Sequence, residues 1–191
     1  MFLLVGLGNP GKRFAQTRHN VGFRVLERFG EDFHLCWKKE NGIEWATWIL
    51  EGQPVYLLKP LTFMNRSGEG LCFFLTRRCF LTPELVVVHD DLDFPPGVIR
   101  IKRGGGSGGH RGVESIMAAW GSADFVRVRV GIGRPSFKEE VVEYVLSVPE
   151  GEEVRALVEG EKKAKEALRC IIEKGLERAM NCFNVSGKGT E

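Results

Sequence analysis

The chain has 191 residues, 43% of them hydrophobic, enough for one sizeable core and too few for two independent ones. Its formal net charge of +2 excludes binding of nucleic acid or a membrane surface by bulk charge, so any such contact must come from the local placement of cations. The five cysteines, Cys36, Cys72, Cys79, Cys170 and Cys182, are odd in number and hold no C-x-x-C pair, which argues against a zinc site or a disulfide framework and for reduced thiols in a cytoplasmic protein.

The first apolar run, MFLLVGLG, has no basic leader and breaks at a Gly/Pro turn, and no stretch reaches membrane-spanning length, so a soluble, unprocessed chain with no membrane partner is expected. FLLVGL reads as a buried strand, and Val21, Val25, Leu26 and Phe29 then recur at helical spacing. EDFHLCWKKEN offers no clean strand. IEWATWIL and PVYLLK read as two strands around the turn EGQP, followed by a helix from about Arg66 to Phe80 that Asn65 or Ser67 can cap. ELVVVHD suits a central strand, and VIRIK and FVRVRVGIG alternate strictly. VESIMAAW is helical. From Glu152 the apolar residues keep helical spacing, with Gly160 and Gly175 as candidate breaks, and VSGKGTE reads as a frayed tail. The sum is an α/β domain over 1–184 with one mixed, twisted sheet flanked by helices, and a flexible tail over 185–191.

Three glycine motifs invite familiar chemistry and lack its other requirements. GLGNPG matches a dinucleotide fingerprint, but Pro10 and a polar stretch intervene where a helix should open. GGGSGGHRG has the glycines of a phosphate loop without the following Lys-Ser/Thr. It also contains a formal G-x-S-x-G around Ser107, yet the histidine downstream, His110, is three residues away on the same turn. A glycine loop that lets backbone approach a ligand fits better.

Four polar residues fall at the ends of buried elements, where an α/β sheet opens its crevice: Asn9, His19, Asn65 and Asp90. A neutral imidazole with a carboxylate on one nitrogen can take a proton from water with the other, which supports hydrolysis without a covalent intermediate. Amides at Asn9 and Asn65 could hold a carbonyl or its developing oxyanion. Against this stand plainer roles: Asn9 as a turn residue before Pro10, Asn65 as a helix cap, and His19 as a cap at a helix start. HDDLD could also hold a divalent cation through His89, Asp90, Asp91 and Asp93, although neighbours on one strand converge poorly. Arg100 and Lys102 share one strand face, as do Arg127 and Arg129; beside a glycine loop these cations suit phosphate, and a solvated strand face is the alternative.

VGLGNPGKRFAQTRHNVGF, KPLTFMNRSG, VVVHDDLDFPPG and RGGGSGGHRG, in this order and spacing, resemble the bacterial peptidyl-tRNA hydrolase family from about Phe2 to about Asn184. The resemblance implies a monomeric, cytoplasmic, cofactor-free enzyme of phosphorylase/hydrolase-like architecture. It would cleave the ester between a peptide, or an N-blocked amino acid, and the 3′ end of tRNA, returning tRNA to translation. Carried over residue by residue, it implies His19 as catalytic base and Asp90 as its orienting acid, with no metal. It places Asn9 and Asn65 on substrate and water, Phe63 and Met64 on the peptide side, Phe14 at the crevice rim, and Lys102 and Arg129 on a tRNA phosphate. Gly108 and His110 fall in a loop beside the crevice. Arg111 stands where the family usually has asparagine, Ser107 where histidine is common and Phe14 where tyrosine is common. A non-catalytic RNA-binding protein on the same scaffold, as in plant organelle relatives that act in intron splicing, is the competing class; it need not keep His19 with Asp90.

Overall fold

The computed structural model describes residues 1–78 and 83–184, apart from the side chain of Lys138. Apolar runs without alternation form the interior of its sheet. β1 (Phe2–Gly6) and β5 (Glu84–Asp91) are parallel neighbours covered on both faces, which is why neither alternates polar with apolar. β4 (Gln53–Pro60) lies parallel to β1 on its other side, and β7 (Val126–Gly131) parallel to β5. Antiparallel strands complete the sheet: β3 (Ile43–Leu50) on β4, β2 (Lys38–Glu40) on β3, and β6 (Ile99–Arg103) on β7. The order is β2-β3-β4-β1-β5-β7-β6, a mixed sheet of seven strands.

β2 lies in the segment where the sequence offers no clean strand. It is three residues long and exposes two lysines on the sheet's rim, so it carries no apolar pattern to read and resists pairing with another chain. The opposite rim, β6, is closed differently: the Asn184 side-chain amide accepts from the Ile101 N–H and donates to the Ile101 carbonyl, as a further strand would.

α1 (Val21–Asp32), α5 (Glu152–Lys174) and α6 (Leu176–Phe183) cover one face, where Val25, Leu26, Phe29, Ala164 and Leu168 pack on Leu4, Val86 and Val88. α2 (Ser67–Arg78) and α3 (Arg111–Trp120) cover the other, where Leu71, Phe74, Val113 and Ile116 pack on Leu3, Val5 and Val87. The last two positions of the helix expected to reach Phe80 lie outside the described residues, as does the expected tail at 185–191. A short α4 (Val141–Val145), which the sequence does not signal, precedes α5.

Gly175 separates α5 from α6 as expected, whereas Gly160 does not break α5. It serves close packing: a Cβ at Gly160 would stand 2.5 Å from the Gly97 Cα. Two glycines of GLGNPG have the same explanation, since a Cβ at Gly6 would meet the Gly22 carbonyl oxygen and one at Gly8 would stand 2.7 Å from the Phe23 ring, whereas Gly11 has open space and a φ of 104° that favours glycine. Gly6 and Gly8 press α1 onto β1 and leave no dinucleotide cradle to explain.

A Gly160→Ala substitution sets helix propensity, a gain of up to about 1 kcal/mol, against a backbone clash that side-chain motion cannot relieve. Overpacking costs roughly 1–3 kcal/mol, so net destabilisation is expected, read as a lower urea midpoint at unchanged m-value. A midpoint at or above wild type would mean the Gly97 turn yields.

Candidate active site

Three parallel strands, β4, β1 and β5, run out at the same edge of the sheet, and each delivers a polar residue there. Beyond β1, the Asn9 backbone N–H donates to Asn20 Oδ1 at 2.9 Å and the Asn9 carbonyl accepts from Asn20 Nδ2 at 2.9 Å. The Asn9 side chain accepts from the Met64 N–H at 2.8 Å through Oδ1, so its Nδ2 is the group left for a ligand. Asn9 is therefore more than a turn residue: it staples the turn after β1 to the 3-10 turn Met64–Arg66 after β4. Asn65 stands exposed in that turn, one position short of capping α2, with its amide unengaged among the described residues.

His19 lies in a 3-10 turn, Arg18–Asn20, that leads into α1. It caps nothing. The turn is anchored by buried Arg18, whose guanidinium donates twice to Glu153 at 2.6 Å and once to Ser147 Oγ at 2.5 Å. His19 Nδ1 lies 2.9 Å from both carboxylate oxygens of Asp90, at the end of β5. A carboxylate only accepts, so Nδ1 carries the proton and Nε2 of the neutral ring holds the lone pair.

Asp90, 3% exposed, has a second imidazole partner. His110 Nε2 lies 2.9 Å from Asp90 Oδ1, and His110 Nδ1 accepts from the N–H groups of Gly112 and Val113, so His110 is the N-cap of α3. Accepting at Nδ1 puts its proton on Nε2, which donates to Asp90. Burial pushes the Asp90 carboxyl up, and the charges of His19 and then His110, with hydrogen bonds from both, pull it further the other way, well below the usual carboxylate range.

His19, Asp90 and His110 also bring three ligand-type atoms within 4.8 Å of one another. The donor set does not suit a metal, because the His110 nitrogen facing Asp90 bears the proton while the other ring nitrogen serves the helix. The acids of HDDLD are engaged as well: Asp91 with Arg129 at 2.6 Å, and Asp93 with Arg134 at 2.5 Å.

An open groove of about 810 Å³ runs over this centre. Asn9, His19, Phe63, Met64, Asn65, Asp90, Lys102, Gly108, His110, Arg111 and Arg129 all line it. Phe14 does not; its ring stacks under the Arg13 guanidinium, 4.5 Å from the centroid. The apolar part of the lining is Phe63, 53% exposed, with Leu92, Leu146 and, from α4, Val142 and Val145. Lys102, Arg127 and Arg129 are cations of the same lining. Lys102 is set opposite Arg127 and Arg100 opposite Arg129 across the β6–β7 pair. Burial, followed by Arg129 and Arg127, lowers the Lys102 pKa. Arg111 is exposed at the first position of α3, with no ion pair among the described residues.

The expectation that Arg127 and Arg129 present themselves together holds for Arg129 alone. Arg127 is 1% exposed, and its guanidinium donates to the Gly105 and Gly106 carbonyls at 2.6 Å each, pinning the glycine loop to the sheet. Ser107 Oγ donates to Glu114 at 2.9 Å, and both ring nitrogens of His110 are committed elsewhere, so among the described residues no histidine base reaches the serine. Sequence reasoning missed Asn20 and the α4 wall, and it named Arg127 as a phosphate cation without its part as the anchor of the glycine loop. The TRHN segment contains the Asn20 signal, but only the path of the chain after β1 says what Asn20 holds.

The model of the family described as peptidyl-tRNA hydrolase matches residues 3–191. A peptidyl-tRNA hydrolase of Rubrobacter xylanophilus is 46% identical over 180 residues, covering 94% of this chain and 98% of that protein. One of Thermodesulfovibrio yellowstonii is 40% identical over 186 residues, covering 96% and 99%. The crystal structure of peptidyl-tRNA hydrolase from Acinetobacter baumannii superposes with a TM-score of 0.90 at 36% identity, covering 97% of this chain and 95% of that one.

His89, beside Asp90, points to the α2–α3 face. Its Nδ1 donates to the Asp90 carbonyl at 2.7 Å, and its buried Nε2 has no partner among the described residues. Burial, then the neighbouring His110, pushes its pKa down to about 3. Between the unfolded value near 6.5 and that figure, the unfolded chain takes up a proton that the folded chain refuses. Stability is therefore present above the unfolded pKa and lost as pH falls, by at most about 1.4 kcal/mol per pH unit. His89→Asn removes this titration, so its urea-unfolding free energy should fall less steeply than wild type between pH 6.5 and 4, by roughly 3 kcal/mol across the range. Parallel curves would show that His89 is not held neutral.

Proposed function

The chain belongs to the peptidyl-tRNA hydrolase family, and from that premise we propose how its own residues carry out the hydrolysis of peptidyl-tRNA that frees the tRNA. His19 is the general base. Its Nε2 takes a proton from a water that attacks the ester carbonyl, while Asp90, held on Nδ1, stabilises the imidazolium that forms. The Asn9 Nδ2 group and the Asn65 amide hold the substrate carbonyl and the charge that develops on its oxygen. The tetrahedral species collapses by breaking the carbon–oxygen bond to the ribose. The imidazolium returns its proton to the leaving oxygen, giving a free acid at the peptide end and a 3′-hydroxyl on the tRNA.

The observation that carries this reading is the 2.9 Å contact of His19 Nδ1 with both Asp90 oxygens, which leaves one imidazole nitrogen free in the groove. An RNA-binding protein without catalysis has no use for that pair. The apolar wall at Phe63, Val142 and Leu146 suits a peptide of varied sequence. Lys102 and Arg129 suit phosphates of the acceptor stem, with the 3′ end running toward His19. Action as a monomer in the cytoplasm, where the translation machinery makes the substrate, fits this reading. The reaction asks for no cofactor.

Release of N-acetylated amino acid from N-acetyl-aminoacyl-tRNA tests the reading directly. His19→Ala should lower kcat by roughly 10²–10⁴-fold with tRNA binding little changed. Asp90→Asn should lower it by roughly 10²-fold or more, because an amide cannot stabilise the imidazolium. Near-wild-type turnover in either variant would remove that residue from the mechanism.

Lys102→Ala and Arg129→Ala should each raise KM for full-length substrate and reduce the slope of log affinity against log salt by about 1. A minimal substrate carrying only the 3′ end should be affected far less. Equal losses on both substrates would assign these cations to the groove itself.

A further inference from the structure

Arg127 is a buried cation without a carboxylate partner among the described residues. Its nearest charges are like charges: Arg129 on the same strand face and Lys102 directly opposite in register. Besides the Phe125 ring, 4.7 Å from the guanidinium carbon, and the Met117 sulfur, its contacts are the Gly105 and Gly106 carbonyls. Its Nε is buried and unpartnered among the described residues. An arginine desolvated to this degree without a counter-charge is costly to keep, and its geometry has one evident consequence for the loop above it.

In a trans peptide the N–H points opposite to the C=O. The Gly105 carbonyl shares a peptide unit with the Gly106 N–H, and the Gly106 carbonyl shares one with the Ser107 N–H. Drawing both carbonyls onto the Arg127 guanidinium turns two successive N–H groups away from it, in a loop whose Gly106 and Ser107 line the groove. Neither donates a hydrogen bond among the described residues, whereas the Gly109 and His110 N–H groups further along are engaged by Ser107 itself. The guanidinium polarises the two peptide units in the sense that strengthens those donors. Successive N–H groups backed by a guanidinium make a concavity for an anion.

We propose that the Gly106 and Ser107 N–H groups, aimed by Arg127, form a binding site for a phosphodiester of the RNA strand that carries the ester. The proposal rests on the RNA substrate of the preceding section. The loop leads straight into His110, which touches Asp90, so this site lies close to the reacting end, and a phosphodiester near the 3′ terminus is the group within its reach. Arg127 acts through the loop and is a positioning residue. The arrangement also explains why GGGSGG has the look of a phosphate loop without the Walker lysine: the cation stands under the loop, on β7.

The test is amide NMR of the ¹⁵N-labelled protein, titrated with the dinucleotide CpA, which holds one phosphodiester and matches the end of tRNA. Adenosine with cytidine serves as the uncharged control and 5′-AMP as the phosphomonoester. CpA should move the Gly106 and Ser107 amide protons downfield, more than 5′-AMP does, and the nucleosides should leave them in place. Unmoved amides at saturating CpA, an equal shift with nucleosides, or a larger shift with 5′-AMP would each overturn the proposal.

Kinetics give a second reading. Gly106→Pro deletes one N–H, while Gly106→Ala keeps it in a position with open space for the Cβ. Loss of a hydrogen bond to a charged group should raise KM on N-acetyl-aminoacyl-tRNA about 10-fold for proline, against less than about twofold for alanine, with kcat little changed in both. Equal KM values for the two variants would count against the site, and the amide titration decides the matter if the proline variant does not fold. A wild-type protein that binds CpA at these amides yet leaves the ester intact would refute the hydrolase reading and not the site.

Discussion

A carboxylate buried at the end of a central strand costs several kcal/mol unless donors satisfy it, and Asp90 is satisfied by two imidazoles. That pairing organises the rest of the centre. Because Asp90 only accepts, both rings must turn a protonated nitrogen toward it. For His110 the choice is enforced from behind, since its other nitrogen accepts the first free N–H groups of α3. For His19 the same demand leaves the opposite nitrogen bare, and a bare nitrogen in the groove is what a general base requires. One ionised side chain thus fixes the state of two titratable neighbours, and the start of α3 becomes part of the site.

The scaffold supplies the placement. Glycines at 6 and 22 let α1 press against β1, which brings the turn ahead of α1 over the strand ends. Arg18 and Glu153 tie that turn to α5, and Asn20 ties it to Asn9. His19 is therefore held from both sides, by an ion pair toward the helices and an amide clasp toward the sheet. The lining of the groove carries two chemistries. Its apolar part comes from α4 and the turn after β4, and its cationic part from β6 and β7, which suits a substrate with a greasy end and a phosphate-bearing end.

Much of this was legible in the sequence, and the reasons are local. Strands such as ELVVVHD and helices with sustained apolar spacing carry their signal within a few residues. His19, Asp90, Asn9 and Asn65 stood out as polar residues at the ends of apolar runs, and the resemblance gave them roles. What stayed hidden depends on residues distant in the chain. Asn20 could be weighed only as a neighbour of His19, because its partner is eleven residues away on the other side of a turn. Arg127 alternates with valines in the same way as Arg129, and only the path of the glycine loop above it separates a buried anchor from a surface cation. β2 and α4 are too short for periodicity to register. Phe14, placed at the rim by resemblance, stacks on Arg13 outside the groove wall.

The claim that Asp90 is shared by two imidazoles of opposite tautomer is tested most directly by long-range ¹H–¹⁵N correlation of the histidine side chains at alkaline pH. His19 should show a protonated Nδ1 and a bare Nε2, and His110 a bare Nδ1 and a protonated Nε2. His19 protonated on Nε2, or His110 protonated on Nδ1, would contradict the account.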